Sequence, residues 1–215
     1  LSSFKPVTVL KGKLCSSRAS TRFRSILVIS QFIISITLII GTSIILKQLN
    51  FVKNKNLGFD KGNLIVTELM DSRLRQSQVS IKVELNKVPG VINAATSHVV
   101  PGQAANVQPF IPEGFSQEQA QMMQSINIDP EFIPTYGIEL IEGRNFSHEF
   151  TTDSDETVLI NETAMRKFGW DNAVGKTIQV PGDKVFEWNL RTIIGVVKDL
   201  HIDSLHSVIM PLCLS

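Results

Sequence analysis

The stretch ILVISQFIISITLIIGTSIIL, residues 26–46, decides how the rest of the chain has to be organised. It runs for 21 residues without a single charge. At about 1.5 Å per residue, a helix of this length covers the roughly 30 Å hydrocarbon core of a membrane. Its Ser and Thr hydroxyls can bond back to the helix backbone, so lipid tolerates them. The sequence therefore predicts a transmembrane helix from Ile26 to Leu46.

Two other kinds of segment also contain an apolar run of this sort. A buried core helix of a soluble protein has a similar composition and stays open as an alternative. A cleaved signal peptide is disfavoured, because the run exceeds the usual apolar region of about 7–15 residues. No small-x-small cleavage site follows it either.

The flanking charges predict the orientation of the span. Six basic residues and no acidic residue precede it, and three lysines follow it closely. This bias predicts a cytoplasmic N-terminal side and an exported remainder. The juxtamembrane basic residues are Lys11, Lys13, Arg18, Arg22 and Arg24. They either only fix the topology or also lie along the inner leaflet, against anionic headgroups.

Overall composition excludes some partners and some covalent links. The net charge of +1 gives no electrostatic reason to expect a nucleic-acid partner. Cys15 and Cys213 are predicted on opposite sides of the membrane, so they cannot pair, and Cys213 is expected to be a small buried apolar residue. The chain begins at Leu1 and ends in an apolar run, so we expect a piece of a longer protein.

The exported part reads as a mixture of helices and strands. A helical stalk is expected from Lys47 to Asp60, ending near Gly58. Residues 73–88 alternate like a strand but also fit one helix face, and their length and polar content favour a helix. Start and stop signals predict two further helices, and short apolar runs predict strands. The expected helices are 73–88, a short one from Asp129-Pro130-Glu131 to Gly137, and 162–168 with Asn161 as its cap. The expected strands are 64–66, 91–100, 122–128, 158–160, 177–180 and 191–198, with residues 103–121 forming a long excursion or a hairpin.

No constellation of side chains in the sequence predicts catalysis, a cofactor or a metal. Gly175-Lys176-Thr177 resembles the end of a phosphate-binding loop, but Trp170 stands where the first glycine is required. The histidines (His98, His148, His201 and His206) do not have metal-ligand spacing. The acidic stretch from Asp153 to Glu156 lacks the other ligands of a calcium loop and is expected to be a solvated turn.

An ordered series of short motifs runs through nearly the whole chain. The motifs are Phe4-Lys5-Pro6, residues 9–13, residues 24–28, Ser30-Gln31-Phe32, Leu57-Gly58-Phe59-Asp60, Pro89-Gly90-Val91, Tyr136-Gly137-Ile138, residues 142–146, residues 160–164, residues 175–178 and residues 194–199. Together they resemble MacB/FtsX-type ABC transporter permeases, with a MacB-like periplasmic core domain after the first helix. Gly175-Lys176-Thr177 then resembles a turn into a strand.

The resemblance implies a fold and a division of the chain. The fold class is α+β, a mixed periplasmic domain with a porter-like part and a second inserted part, preceded by one transmembrane helix. The implied segments are a cytoplasmic juxtamembrane segment (1–25), the span (26–46), a helical stalk (47–60) and a C-terminally incomplete core domain (61–215). The chain would hold the first helix and outer domain of the second half of a two-half permease of the Bacteroidota type.

The resemblance also implies a function and its partners. The expected function is a non-catalytic permease segment in a bacterial inner membrane that couples cytoplasmic ATP hydrolysis to a periplasmic conformational change. The implied partners are a cytoplasmic ABC ATPase subunit, the rest of the permease or a second copy, membrane lipid and a periplasmic adaptor. A single-span sensor with an exported ligand-binding domain is the alternative, and an anchored hydrolase would need a nucleophile or metal constellation.

Overall fold

The computed structural model describes residues 18–55, 57–60, 62–182, 187–203 and 208–215. It divides into two compact units, Leu1–Lys55 and Asn56–Ser215. The first contains one long helix, and the second, called the outer unit below, contains a β-sheet with short helices. Lys11, Lys13, Cys15 and His206 lie outside the described residues.

The predicted span forms the middle of a much longer helix. Helix α1 covers Arg18–Asn54, which is 37 residues or about 55 Å. By length and composition its stretch from Thr21 to Lys53 is able to cross a membrane, and none of its most apolar window is buried in the protein. The helix thus begins before Ile26 and continues beyond Leu46.

Hydroxyl groups on α1 bond to the backbone of their own helix. Ser30 Oγ donates to the Leu27 carbonyl, and Ser43 Oγ donates to the Ile39 carbonyl, both at 2.8 Å. Thr37 Oγ1 makes the same kind of bond to Ile33. These bonds satisfy three of the polar side chains inside the apolar run, in the way the sequence predicted.

The predicted helical stalk is wrong in its last residues. Helix α1 ends at Asn54, before the expected stop near Gly58. Leu57-Gly58-Phe59-Asp60 has no helical structure and belongs to the outer unit. Gly58 is compatible with a helix end, but tertiary packing holds the segment in a non-helical form with bends at Gly58 and Phe59.

Seven strands of the described chain form one sheet in the outer unit. They are β1 (Asn106–Pro112), β2 (Gln121–Ile126), β3 (Leu140–Gly143), β4 (Thr157–Asn161), β5 (Thr177–Pro181), β6 (Trp188–Val197) and β7 (Leu212–Leu214). Their order is β3-β6-β4-β7-β2-β1-β5. The helices of this unit are α2 (Ser72–Gln76), α3 (Gln78–Leu85), α4 (Phe132–Tyr136), α5 (Asp153–Glu156) and α6 (Glu162–Phe168).

The sheet closes on itself because β5 pairs with two strands. Its residues pair antiparallel with β1 on one side and with the first half of β6 on the other. The second half of β6 pairs in parallel with β4 and antiparallel with β3. Strand β6 therefore joins both ends of the sheet.

Two apolar clusters lie on opposite faces of this sheet. Strand β4 is buried at all five positions, because Leu159 points into one cluster while Val158 and Ile160 point into the other. A strand covered on both faces reads as a continuous apolar run, which is how the sequence predicted it. Helix α4 covers the Leu159 side and α6 covers the other.

Helix α6 begins and ends where the sequence predicted. Asn161 Oδ1 accepts a hydrogen bond from the Ala164 N–H at 3.0 Å, the bond of an N-cap residue. Gly169 ends the helix with φ +70°. The turn at Gly137 ends α4 in the same way, but Asp129 does not cap that helix, since its carboxylate bonds to Thr96 and Lys82 instead.

Two predicted strands do not form. Residues 64–70 have no strand structure, and Ile65 is 95% exposed. Residues 91–100 contribute only an isolated bridge between Ser97 and Ile128, and Ile92 is fully exposed. A strand requires a partner along its length. Within the described chain, no strand pairs with residues 64–70, and the pairing of residues 91–100 is limited to the bridge at Ser97. The intervening helix is present, broken at Ser77 into α2 and α3.

Of the two alternatives for residues 103–121, a long excursion or a hairpin, the structure has a hairpin, and its second strand continues to Ile126. Strands β1 and β2 pair antiparallel, with Pro109 opposite Met122. Met122 and Ile126 share one face of β2 by alternation, but Met122 is 47% exposed while Ile126 is buried. On this face, the apolar cluster that contains Ile126 covers only the second half of β2.

We expect Gly143→Ala to destabilise the outer unit by about 3 kcal/mol or more, because an alanine there is both strained and overpacked. Gly143 has φ +76°, and an added Cβ would lie 2.7 Å from Gly195 Cα and closer still to the Ile194 carbonyl. The control Gly169→Ala has a similar φ of +70° with open space around it, so it should cost about 1 kcal/mol. Urea unfolding followed by tryptophan fluorescence measures both, and equal losses would contradict the close-approach argument.

Candidate functional site

The segment that follows helix α1 in sequence is built into the outer unit by backbone hydrogen bonds. The His201 N–H donates to the Leu57 carbonyl at 2.8 Å, and the Asp60 N–H donates to the Tyr136 carbonyl at 2.7 Å. We call this segment, Leu57–Asp60, the docking segment. Its two ends are thus fixed to the chain after β6 and to the end of α4.

Gly58 sits where no side chain fits. Its φ is +85°, and an added Cβ would lie 2.8 Å from Leu200 Cα and closer still to the Asp199 carbonyl oxygen. Only glycine combines this conformation with such a close approach. The docking segment therefore lies directly on the backbone of residues 199–200.

Phe59 attaches the docking segment to the apolar cluster. Its ring meets Tyr136 edge to face, with centroids 5.7 Å apart, and Tyr136 in turn packs on Phe132 at 4.4 Å. Burial raises the pKa of the Tyr136 phenol, which stays neutral. Apolar packing thus adds to the backbone bonds on the α4 side.

Asp199 connects the docking segment to the start of α6. Its carboxylate accepts hydrogen bonds from the Thr163 N–H at 2.9 Å and the Thr163 hydroxyl at 2.8 Å, and it pairs with Arg166 at 2.5 Å. Its own N–H donates to Glu162 Oε2 at 3.2 Å. A carboxylate bonded to the first turn of a helix is also favoured by the helix dipole. Asp199 therefore links the stretch after β6 directly to the first turn of α6.

A shallow open depression lies beside the docking segment. Gly137, Glu139, Lys198 and His201 contribute to its wall. Lys198 and Glu139 form an ion pair of 2.7 Å at the surface, and hydrogen bonding to Glu139 holds the pKa of Lys198 above its usual value. Its lining combines Leu57, Phe59 and Ile209 with charged side chains, and it is open to solvent, unlike the mainly apolar clefts that bury small molecules.

Arg144 and Asp153 form a bidentate ion pair that the sequence did not predict. Arg144 Nη1 and Nη2 donate to the two carboxylate oxygens of Asp153 at 2.6 and 2.7 Å. The Ser147 N–H donates to the same carboxylate at 3.0 Å. Asp153 is only 4% exposed, so the expected solvated turn is wrong at this position. The pair with Arg144 holds the pKa of Asp153 below its usual value.

The Gly175-Lys176-Thr177 string is a turn into a strand and has no free amides. The three N–H groups donate to the Ile193 carbonyl, the Ala173 carbonyl and Glu113 Oε2 respectively. A phosphate-binding loop needs such amides to point at its ligand. The structure therefore supports the sequence interpretation of this string.

Cys213 and the described histidines do not lie together in a cluster. Burial raises the pKa of the Cys213 thiol to about 12, so it is a neutral apolar residue, as predicted. His148 contacts Glu131 at 2.7 Å and is otherwise exposed. No three His, Cys, Asp or Glu residues among those described are placed to hold a metal ion.

The membrane-related site residues lie apart from the outer unit in the chain. Ile26 and Leu46 are exposed positions within α1, and Arg22 and Arg24 are exposed near its start. Arg18 is the first residue of the helix. Sequence reasoning missed the roles of Asp199 and Thr163, although the motifs that contain them were noted. No local signal reveals a hydrogen bond between residues 36 positions apart.

Comparison with known families decides the assignment. The model of the MacB-like periplasmic core domain matches residues 25–214. The chain belongs to this family. It carries a MacB-like periplasmic core domain, with one apolar helix at the N-terminal end of the described residues. The mixed α+β fold and the resemblance inferred from the sequence are thereby confirmed.

Solved structures give partial overlaps with this MacB-like chain. A domain of a protein assigned as a permease from Porphyromonas gingivalis is 26% identical, with a TM-score of 0.41, 60% of this chain covered and 51% of that one. The periplasmic region of MacB from Actinobacillus actinomycetemcomitans is 18% identical, with a TM-score of 0.43 and coverages of 67% and 60%. The extracellular domain of the ABC-type transporter YknZ from Gram-positive bacteria is 15% identical, with a TM-score of 0.41 and coverages of 63% and 59%.

These overlaps limit what is transferred from the relatives. The chain spans about half to three fifths of the length of the structures it matches. A search of the curated proteins gave no match. The family assignment rests on the domain model alone.

Loss of the buried ion pair should make stability depend less on pH. Because the pKa of Asp153 is lower in the folded state, its pairing stabilises the fold above the unfolded pKa of about 4 and is lost as pH falls through the lowered value. Asp153→Asn should therefore cost about 2 kcal/mol at pH 7, with the gap to the parent shrinking towards pH 3.

Urea unfolding at several pH values measures that gap. The control is Glu84→Gln, which removes an exposed pair with Lys87 and should change stability by less than about 0.5 kcal/mol. A gap for Asp153→Asn that stays constant from pH 7 to pH 3 would contradict the assigned ion pair.

Proposed function

We propose that this chain is a non-catalytic segment of an ABC permease that passes movement of its membrane helix into the outer unit. A partner ATPase in the cytoplasm would supply the energy by binding and hydrolysing ATP. The proposal places the N-terminal side in the cytoplasm of a bacterium, the helix in the inner membrane and the outer unit in the periplasm. The excess of basic residues before the span supports this orientation.

The observation that carries the proposal is the attachment of the docking segment. Leu57 follows the end of α1 by three residues, and its carbonyl is already bonded to the sheet body through His201. Gly58 lies against the backbone at residues 199–200, and Asp60 is bonded to Tyr136. A pull on the chain after α1 therefore acts on fixed points of the sheet within a few residues.

The route onward from the docking segment supports the same function. Residues 198–201 continue directly from β6, the strand that joins both ends of the sheet. Asp199 ties them to α6 through Thr163 and Arg166. Packed elements with hydrogen bonds at both ends transmit displacement with little loss, since protein interiors are close-packed.

The proposed segments follow from this attachment. Residues 1–25 are assigned to the cytoplasmic side, 26–46 to the span, 47–54 to a helical stalk and 57–215 to the outer domain. The first helix would pack on further helices of the permease or on a second copy. Arg22 and Arg24 would meet anionic headgroups at the cytoplasmic face. A periplasmic adaptor is a further proposed partner.

The orientation is tested by the accessibility of cysteines. In spheroplasts, a membrane-impermeant maleimide should label Ser80→Cys, an exposed outer-unit position, and should label Cys15 only after lysis. Cys213 is buried and should stay unlabelled on both sides. Labelling of Cys15 from outside would reverse the assignment.

The coupling is tested by a flexible insertion before the docking segment. Four Gly-Ser residues after Lys55 should leave ATP hydrolysis by the full permease–ATPase complex intact and abolish the ATP-driven distance change measured by spin labels in the outer unit. Slack in a linker prevents it from transmitting force. The same four residues after Glu118, an exposed position, should leave both readouts at parental values.

Two outcomes would contradict the coupling proposal. An insertion after Lys55 that keeps the parental distance change would remove the docking segment from the route. A full-length protein that neither binds an ATPase subunit nor alters its turnover would remove the permease function itself.

A further inference from the structure

The segment between residues 65 and 94, which we call the helical arm, contains α2 and α3 and is attached to the sheet body at few points. Neither helix has a buried residue. Between Ile65 and Ile92 only Leu69, Ile81 and Lys82 are even half-buried. The two ends of the arm are anchored, because Leu64 and Ala95 pack against the apolar cluster on the α4 side of the sheet.

Lys82 supplies the polar attachment of the arm. Its ammonium group donates to Asp129 Oδ2 at 2.6 Å and to Glu131 Oε2 at 2.7 Å. The side chain of Lys82 is 14% exposed, and those of Asp129 and Glu131 are 13% and 25% exposed. In the described chain, the other side-chain bond from the arm to the rest is a longer one, from Gln103 to Glu68 at 3.4 Å.

The carboxylates that receive Lys82 are held by the sheet body. Asp129 Oδ2 also accepts from the Thr96 N–H at 2.7 Å and from its hydroxyl at 2.8 Å. Glu131 Oε1 contacts His148 Nε2 at 2.7 Å. The acceptors are therefore in place on one side, and the ammonium is the single group that the arm brings to them.

The electrostatics of the group favour the closed form. Burial lowers the pKa of Lys82, but hydrogen bonds to Asp129 and Glu131 outweigh it and raise that pKa above its usual value. Burial likewise opposes ionisation of Glu131, and the bonds from Lys82 and His148 still hold its pKa below its usual value. Two neighbouring carboxylates that lose their shared cation are left in mutual repulsion.

We propose that Lys82, Asp129, Glu131 and His148 form a releasable latch, and that opening it frees the helical arm while the sheet body stays folded. The arm buries almost no apolar surface of its own, so no core is lost when Lys82 leaves. Leu64 and Ala95 remain as the two fixed points about which the arm moves. The latch is independent of the docking segment and of the permease function.

The test measures the freedom of the arm in the full chain in detergent micelles. Spin labels at Ser80→Cys on α3 and Glu118→Cys in the β1–β2 loop, both exposed positions, report the distance between arm and body. The background carries Cys15→Ser and Cys213→Ala so that only these sites are labelled. The parent should give one narrow distance distribution by pulsed electron paramagnetic resonance.

The variant Lys82→Met should lose that narrow distribution and give a broad one. The matched control Lys87→Met removes an exposed lysine of the same arm and should keep the parental distribution. Glu131→Gln keeps the shape of the acceptor but removes its charge, so it should broaden the distribution to an intermediate degree. It also serves as the second variant if Lys82→Met fails to fold.

Urea unfolding followed by Trp170 and Trp188 reports the sheet body in the same samples. An unchanged unfolding midpoint with a broadened arm distance supports the latch. A broad distribution in the parent, or parental distributions in both Lys82→Met and Glu131→Gln, would overturn it. So would a loss of the arm distance that occurs only together with unfolding of the sheet.

Discussion

The outer unit depends on one strand, β6, and on how closely its neighbours approach it. Its first half pairs with β5 and its second half with β4 and β3, so that the sheet closes through it. Gly195 in this strand and Gly143 in β3 allow backbones to meet where a Cβ would lie within 3 Å of the partner chain. Without that approach, β3 could not pair with β6.

The same strand brings the candidate site together. Among the four residues after it, His201 is hydrogen-bonded to the docking segment and Asp199 is hydrogen-bonded to the first turn of α6. The docking segment, which follows α1 in sequence, and the first turn of α6 are therefore both bonded to one short stretch of chain. This shared stretch is the observation from which the proposed coupling is argued.

Several elements were predictable because their causes are local. The apolar run at residues 158–160 of β4, the Asn161 cap and the Gly169 stop each depend on neighbours in sequence, and each was found where expected. The predictions of strands at 64–66 and 91–100 were wrong, because a strand needs a pairing partner and the local sequence does not indicate one. The prediction of a solvated turn for the acidic stretch was wrong at Asp153. The polar composition of the stretch is typical of such a turn, but Asp153 is buried in an ion pair with Arg144.

The sequence by itself determined the membrane helix, the family and the alternation of apolar runs that builds the sheet, since hydrophobic period and length act along the chain. Only the tertiary structure decided that α1 ends at Asn54, that Gly58 lies on residues 199–200, and that Lys82 joins the arm to Asp129. These contacts join residues tens of positions apart or more. Their energies depend on burial and exact placement, which the fold creates and the linear order of residues does not contain.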